Sequence, residues 1–164
     1  LPKDDCDFVI AGDWDGDGAD SFGVRRGTEF FLSNELVGGQ SEISFHYGRA
    51  GDDVHVGDWD GNGTDTLMVQ RGQVFHPSNS LRGGNADSTF LYGRSGDQVL
   101  AGDFDGDGVD TLALRRGNEF HVKNSLAGGN ADTVIRYGRA SDDVYVGDWD
   151  GDGVDTPVVN RYVN

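Results

Sequence analysis

An acidic, glycine-rich loop of ten residues occurs four times in this chain, each copy 45 residues after the last. The copies read GDWDGDGADS at 12–21, GDWDGNGTDT at 57–66, GDFDGDGVDT at 102–111 and GDWDGDGVDT at 147–156. A fixed period of roughly 20 to 50 residues marks a repeat architecture, in which one unit cannot bury its apolar face alone. The chain must therefore fold as adjacent copies of one supersecondary unit.

The period divides the 164 residues into three and a half repeats within a single repeat domain, 1–164. We place repeat one at about 5–49, repeat two at about 50–94, repeat three at about 95–139 and the half repeat at 140–164. Each full repeat has four strand-like runs, which in repeat two are 53–57, 65–70, 73–77 and 88–92. No segment has a helical period of useful length. The sequence predicts an all-β chain of 14 strands.

Four antiparallel strands in about 45 residues match the size of one β-propeller blade. A solenoid of stacked coils is the second interpretation, although it usually needs fewer strands per turn. Because 14 strands make three and a half blades, one chain cannot close a ring of complete blades. Two chains supply 28 strands, so we expect a seven-bladed propeller formed by a homodimer, without exposed edges. A longer parent chain that supplies further blades is the main alternative.

Acidic residues outnumber basic residues by 29 to 13, which gives a formal net charge of −16. This charge argues against nucleic acid and against an anionic membrane surface as partners. No apolar run approaches the roughly 18 residues that span a bilayer. Fifteen of the 29 acids lie in the four loops, where they repel one another unless a cation lies between them. Four divalent cations would reduce the net charge to about −8, an ordinary value for a soluble domain.

Aspartates stand at loop positions 1, 3 and 5 in most copies, with glycines at positions 4 and 6. Carboxylates on alternate residues converge on one point, and glycine permits the sharp bend. Oxygen-only ligation favours calcium, about four ions per chain, because zinc or copper would require recurring His or Cys. The candidate ligands are Asp13, Asp15, Asp17, Asp20, Asp58, Asp60, Asn62, Asp65, Asp103, Asp105, Asp107, Asp110, Asp148, Asp150, Asp152 and Asp155.

The loop differs from the helical EF-hand site, which needs a glutamate at position 12. That position holds the strand residues Val24, Val69, Leu114 and Val159. In the second copy Asn62 keeps an oxygen but removes a charge, so we expect this site to be the weakest. Aspartate and glycine also form turns without metal, but turn formation alone does not explain alternating acids in copy after copy.

The DxDGDGxD loop between two strands resembles the calcium loop of FG-GAP (integrin α-type) propeller repeats and of related bacterial repeats, over nearly all of the chain. The resemblance implies that the position 8 aspartates are also ligands. The integrin-type loop usually closes on an aspartate at position 9, where this chain has Ser21, Thr66, Thr111 and Thr156. The position 8 aspartate therefore either coordinates calcium or caps the following strand.

Similar bacterial repeats are joined to cell-wall hydrolases and surface proteins, and some related propellers are lectins. The resemblance thus implies a secreted, cell-wall-associated protein with a role in adhesion or carbohydrate binding. A candidate ligand pocket combines recurring tyrosines, arginines and asparagines, namely Tyr47, Arg49, Tyr92, Arg94, Tyr137, Arg139, Asn34, Asn79 and Asn124. The favoured alternative is that these residues pair with surplus acids and cap turns. For Trp14, Trp59, Phe104 and Trp149 at loop position 2, packing between blades is favoured over sugar stacking.

Catalysis has little support in the sequence. Only His76 and His121 among the four histidines are equivalent between repeats, and no Ser-His-Asp or Cys-His signature occurs. The lone Cys6 fits a small buried residue better than a reactive thiol. We expect a calcium-stabilised, non-catalytic extracellular binding module for a cell-wall or cell-surface glycan or protein. A structural or oligomerisation scaffold with no ligand beyond calcium is the alternative.

Overall fold

The computed structural model describes residues 7–163, so the prediction for Cys6 lies outside the described residues. Within this range the chain forms 14 β-strands and no helix, and therefore no helical segment that could cross a membrane. The strands are β1 (Phe8–Gly12), β2 (Ser21–Arg26), β3 (Glu29–Leu32), β4 (Ile43–His46), β5 (Asp53–Gly57), β6 (Thr66–Arg71), β7 (Val74–Pro77), β8 (Phe90–Leu91), β9 (Gln98–Gly102), β10 (Thr111–Arg116), β11 (Glu119–Lys123), β12 (Thr133–Arg136), β13 (Asp143–Gly147) and β14 (Thr156–Asn160). The predicted all-β class is confirmed.

The strands form four antiparallel sheets of two to four strands each. The chain divides into two compact units, Leu1–Thr89 and Phe90–Asn164. In the first unit β1 to β4 pair in chain order, and β5, β6 and β7 do the same. In the second unit β9 to β12 form one sheet and β13 pairs with β14. Consecutive pairing is the arrangement expected within a blade, while a propeller stays a prediction.

Each acidic loop connects the first two strands of a repeat. The last paired residues before the four loops are Gly12 with Ser21, Gly57 with Thr66, Gly102 with Thr111, and Gly147 with Thr156. Because the antiparallel register is the same in every hairpin, each loop begins and ends at equivalent residues of its two strands. The fold thus positions four chemically similar loops by the same short hairpin.

The core of the first unit forms between repeats one and two. Its buried cluster consists of Trp14, Phe30, Leu32, Tyr47, Leu67 and Val69. Leu67 and Val69 lie two residues apart in β6 and therefore share one face of the sheet. That face covers aromatic and aliphatic side chains of the preceding repeat, as expected for a unit that cannot bury its apolar surface alone.

Candidate metal centre and polar pocket

The aspartates at loop positions 1, 3 and 5 come together in three of the four loops. In each of these loops the three residues offer carboxylate oxygens that lie within 4.8 Å of one another. The groups are Asp13 with Asp15 and Asp17, Asp103 with Asp105 and Asp107, and Asp148 with Asp150 and Asp152. The side chains are mostly exposed, so a cation has open access to them.

Backbone N–H groups hold the position 1 carboxylate in place. In the first loop Asp13 Oδ1 accepts bonds from Gly16 N (2.7 Å) and Asp17 N (3.1 Å), and Oδ2 accepts one from Gly18 N (2.9 Å). Gly16 and Gly18 have φ values of 76° and 88°, a region that strains any residue with a side chain. The third and fourth loops repeat this pattern around Asp103 and Asp148.

The same N–H groups favour the ionised form at position 1. Burial opposes ionisation of Asp13, but the N–H groups of Gly18, Gly16 and Asp17 outweigh it and lower the pKa of the carboxyl. At Asp148 the Gly153 N–H is the largest cause of a lowered pKa. At Asp105 slight burial and the neighbouring Asp107 carboxylate raise the pKa. In the first and fourth loops the backbone therefore favours an ionised carboxylate at position 1.

The second loop keeps the same backbone despite its asparagine. Asp58 Oδ1 accepts a bond from Asn62 N (3.0 Å), and Asp58 Oδ2 accepts one from Gly63 N (2.8 Å). The Asn62 side-chain oxygen accepts a bond from Thr64 N (2.8 Å), as Asp17 Oδ1 does from Ala19 N in the first loop. Asn62 thus preserves the loop conformation while it removes one negative charge.

In repeats two and four the position 8 aspartate binds the loop of the preceding repeat. Asp65 Oδ2 accepts a bond from Asp13 N (2.9 Å), and Asp65 N donates one to the Asp13 carbonyl (2.8 Å). Asp155 makes the same two bonds with Asp103, at 2.9 and 2.7 Å. Asp65 is half-buried, and burial followed by nearby carboxylates raises its pKa. A link between repeats is a role that the sequence alone did not suggest for this position.

Two of the predicted ligand-pocket tyrosines are buried and use their hydroxyls inside the protein. Tyr47 donates to the His76 carbonyl (2.7 Å) and Tyr92 donates to the His121 carbonyl (2.9 Å). Burial, with smaller effects from nearby aspartates, raises the pKa of each tyrosine to about 12. Tyr137 is 45% exposed. The hydroxyl groups of Tyr47 and Tyr92 are therefore used in contacts between adjacent repeats.

The arginines that follow these tyrosines, Arg49, Arg94 and Arg139, are exposed. Their backbone N–H groups donate to Asp52, Asp97 and Asp142. The same aspartates form ion pairs with a second set of arginines, Arg71 (2.6 Å), Arg116 (2.6 Å) and Arg161 (2.8 Å). Pairing of recurring arginines with surplus acids was the favoured alternative in the sequence analysis, but the aspartate partners were not identified, although both the aspartate and the second arginine recur at the period of 45 residues.

A polar pocket of about 420 Å³ in the second unit brings together part of the predicted ligand site. Its lining includes Tyr92, Arg94, Arg116, His121 and Asn130. Asn130 was not a predicted residue, but it follows the double glycine of repeat three, as Asn85 follows the double glycine of repeat two. That recurrence could have identified it.

The predicted asparagines lie elsewhere. Asn124 lines a separate, mainly apolar pocket. The backbone N–H groups of Asn34, Asn79 and Asn124 donate to Glu42, Asp87 and Asp132, which closes the connection between the third and fourth strands. The predicted asparagines are therefore not part of the pocket that Tyr92 and Arg94 line.

Comparison of the chain with models of protein families, with curated proteins and with solved structures found no match.

Proposed function

We propose that this chain is a calcium-stabilised, non-catalytic extracellular binding module built from propeller blades of the FG-GAP type. The observation that carries the proposal is the convergence of three carboxylates, within 4.8 Å, in loops that recur at one period. Hard oxygen donors on a short glycine-bent backbone suit calcium, and magnesium would demand a tighter octahedron. By the resemblance, the protein is secreted and associated with a cell wall.

Calcium would act here as a structural ion. The residues that would hold it are the aspartates at positions 1, 3 and 5, with Asn62 in the second loop. An ion that binds only the folded chain adds RT ln(1 + [L]/Kd) to its stability, about 2.7 kcal/mol per site at a hundredfold excess over Kd. It would also offset the formal charge of −16. No catalytic role is proposed, because the clustered carboxylates are assigned to the metal.

The metal proposal is tested by calorimetry and thermal melting of chelator-treated protein. We expect about four calcium ions per chain, one of them weaker, and a melting temperature that calcium raises more than magnesium does. Asp105→Ala should bind one ion fewer, because it removes one of three converging carboxylates. The backbone bond that Asp105 accepts in its loop is long, at 3.3 Å, so the loop conformation should survive the change. The matched control is Glu35→Ala, which removes an exposed carboxylate outside the loops. A melting temperature that ignores both calcium and chelator would refute the metal proposal.

The ligand would be a glycan or protein of a cell surface. The polar pocket beside Tyr92 supports this class, because an aromatic ring edge, two guanidinium groups and an amide suit sugar hydroxyls or carboxylates. A binding screen against glycans and peptidoglycan, with and without calcium, tests it. Arg94→Ala should abolish binding, since Arg94 is exposed and lines the pocket, while Arg82→Ala, an exposed arginine outside it, should not. Absence of any binding would favour the scaffold role.

A further inference from the structure

Each repeat has two unlike faces, and the first unit displays how they fit. We call the face of Val54, Val56, Leu67 and Val69 in repeat two, and its equivalents, the head face. We call the face of Trp14, Phe30 and Leu32 in repeat one, and its equivalents, the tail face. The head face of repeat two packs on the tail face of repeat one, and Leu67 is only 1% exposed there. Contact between repeats one and two is therefore head to tail.

The head face of repeat one is exposed among the described residues, 7–163. Its residues are Val9, Ala11, Phe22 and Val24, which stand 45 residues before Val54, Val56, Leu67 and Val69. Phe22 is 61% exposed and Val9 is 70% exposed. The first unit thus presents an apolar sheet face whose equivalent one repeat later lies in the core.

The tail face of repeat four is open in the same way. Trp149 is 56% exposed, whereas its equivalent Trp14 is 3% exposed. Val158 and Tyr145 on the same half repeat are 38% and 53% exposed. Their equivalents in repeat one, Gly23 and Ile10, lie against Leu32 or the buried cluster. The second unit therefore presents a tail face with the tryptophan that elsewhere fills the space between repeats.

Hydrogen-bonding groups at the two open faces match as well. Within residues 7–163, the Asp20 carboxylate, at the head side, accepts no bond of the kind that Asp65 accepts from Asp13. Asp148, at the tail side, is the position 1 residue whose N–H and carbonyl correspond to those that Asp13 uses toward Asp65. Each open face thus carries one half of the link that joins successive repeats.

We infer that a second copy of this chain docks head to tail, with the head face of repeat one on the tail face of repeat four. The second copy is the occupant because one chain carries both members of a contact that it already makes internally. Such an interface is heterologous, with different residues on its two sides. This inference rests on apolar packing and hydrogen bonds between repeats and not on a bound ion, although Asp20 and Asp148 are also candidate calcium ligands.

Sedimentation of the 164-residue chain over a range of concentrations tests the inference. We expect association of the unaltered chain, which Phe22→Asp on the head face or Val158→Asp on the tail face abolishes. Both side chains are exposed, so the variants should keep their far-ultraviolet circular dichroism and melting temperature. The matched control is Leu36→Asp, which changes an exposed leucine outside both faces and should leave association unaltered.

A mixing experiment separates a head-to-tail interface from a two-fold one. Each variant alone has one altered face, so every head-to-tail contact in a pure sample includes it. When Phe22→Asp and Val158→Asp chains are mixed, the unaltered tail of one meets the unaltered head of the other, and association should return. A monomer at all concentrations, association that survives both substitutions, or a mixture that stays monomeric would overturn the inference.

Discussion

Loop position 2 is tryptophan in three repeats and phenylalanine at Phe104. Trp14 is buried, and its ring lies against Gly12, where an added Cβ would meet the indole at 3.0 Å. Phe104 lines a mainly apolar pocket of about 210 Å³ together with Phe120, Val146 and Val154. The phenyl ring of Phe104 is smaller than an indole and leaves part of this pocket unfilled. Because protein interiors are normally densely packed, an indole at this position would fill that space.

Phe104→Trp should therefore stabilise the protein, by about 0.5 to 1.5 kcal/mol, as filling of a cavity commonly does. The reverse change in the first unit, Trp14→Phe, should destabilise the protein by about 1 to 3 kcal/mol, because the smaller ring would leave a cavity like the one beside Phe104. Denaturant unfolding of the two variants in chelator provides the measurement. A destabilised Phe104→Trp would indicate that the pocket cannot admit the larger ring.

The position 8 aspartate makes a separate prediction at the residue scale. Asp65→Ala should cost about 1 to 3 kcal/mol in chelator, because it leaves the Asp13 N–H without its acceptor. Asp65→Asn should cost less, since the amide keeps an oxygen acceptor and removes a carboxylate whose pKa is raised by burial and by nearby carboxylates. Equal losses for both variants, seen only with calcium present, would instead assign Asp65 to the metal.

At the element scale, each turn that precedes the first strand of a repeat is held by an aspartate and an arginine. Burial opposes ionisation of Asp52, but the Arg71 guanidinium and the Arg49 N–H outweigh it and lower the pKa of the carboxyl. A lowered folded pKa means that this carboxylate contributes its full stability above its unfolded value of 3.8. The contribution is lost as the pH falls through that value toward the lower folded pKa.

Asp52→Asn should lower stability near pH 7 by about 1 to 3 kcal/mol, because a charge-assisted bond to Arg71 is lost. The loss should shrink as the pH falls below about 4, where the unaltered carboxyl also becomes protonated. Melting temperatures of both proteins across this range measure the difference. Glu35→Gln, an exposed change, should track the unaltered protein at every pH.

The local sequence pattern predicted the strands well but did not predict the contacts between repeats. The run predicted at 53–57 matches β5, and those at 65–70 and 73–77 lie within one residue of β6 and β7, whereas the run at 88–92 shortens to Phe90–Leu91. Strands and glycine turns follow from neighbours in the chain, so periodicity suffices for them. The Asp13 to Asp65 bond joins residues 52 apart and depends on how one sheet faces the next. The burial of Tyr47 has the same cause, because its hydroxyl partner is in repeat two.

At the scale of the whole molecule, the strand count predicted seven complete blades from two chains. The exposed faces favour a different arrangement of the half repeats. The half repeat of each chain contains strands one and two, so two half repeats lack strands three and four of a complete blade. Head-to-tail docking stacks each half repeat on the first repeat of the other copy and does not join the halves into one sheet. The number of blades therefore stays a prediction, which electron microscopy of the assembled chain can count.

The charge of −16 makes a prediction of its own. In chelator, an increase in the sodium chloride concentration from about 0.05 to 0.5 M should raise the melting temperature. The higher ionic strength shortens the Debye length and so screens the repulsion among the loop carboxylates. With calcium at saturation the same change should have a much smaller effect, since bound cations already offset the charge. Identical salt dependence in both conditions would show that the loops do not dominate the repulsion.

The bond from Asp13 to Asp65 also constrains how a chain like this can change in length. The first and third loops are each anchored by a residue 52 positions further on, in the next repeat, so the stability of a loop depends on its neighbour. An insertion that displaces one sheet against the next would detach the loop before it, even where the loop itself is unaltered. We therefore expect the chain to tolerate gain or loss of a whole 45-residue period better than an insertion within one, which agrees with the unbroken spacing of the four loops.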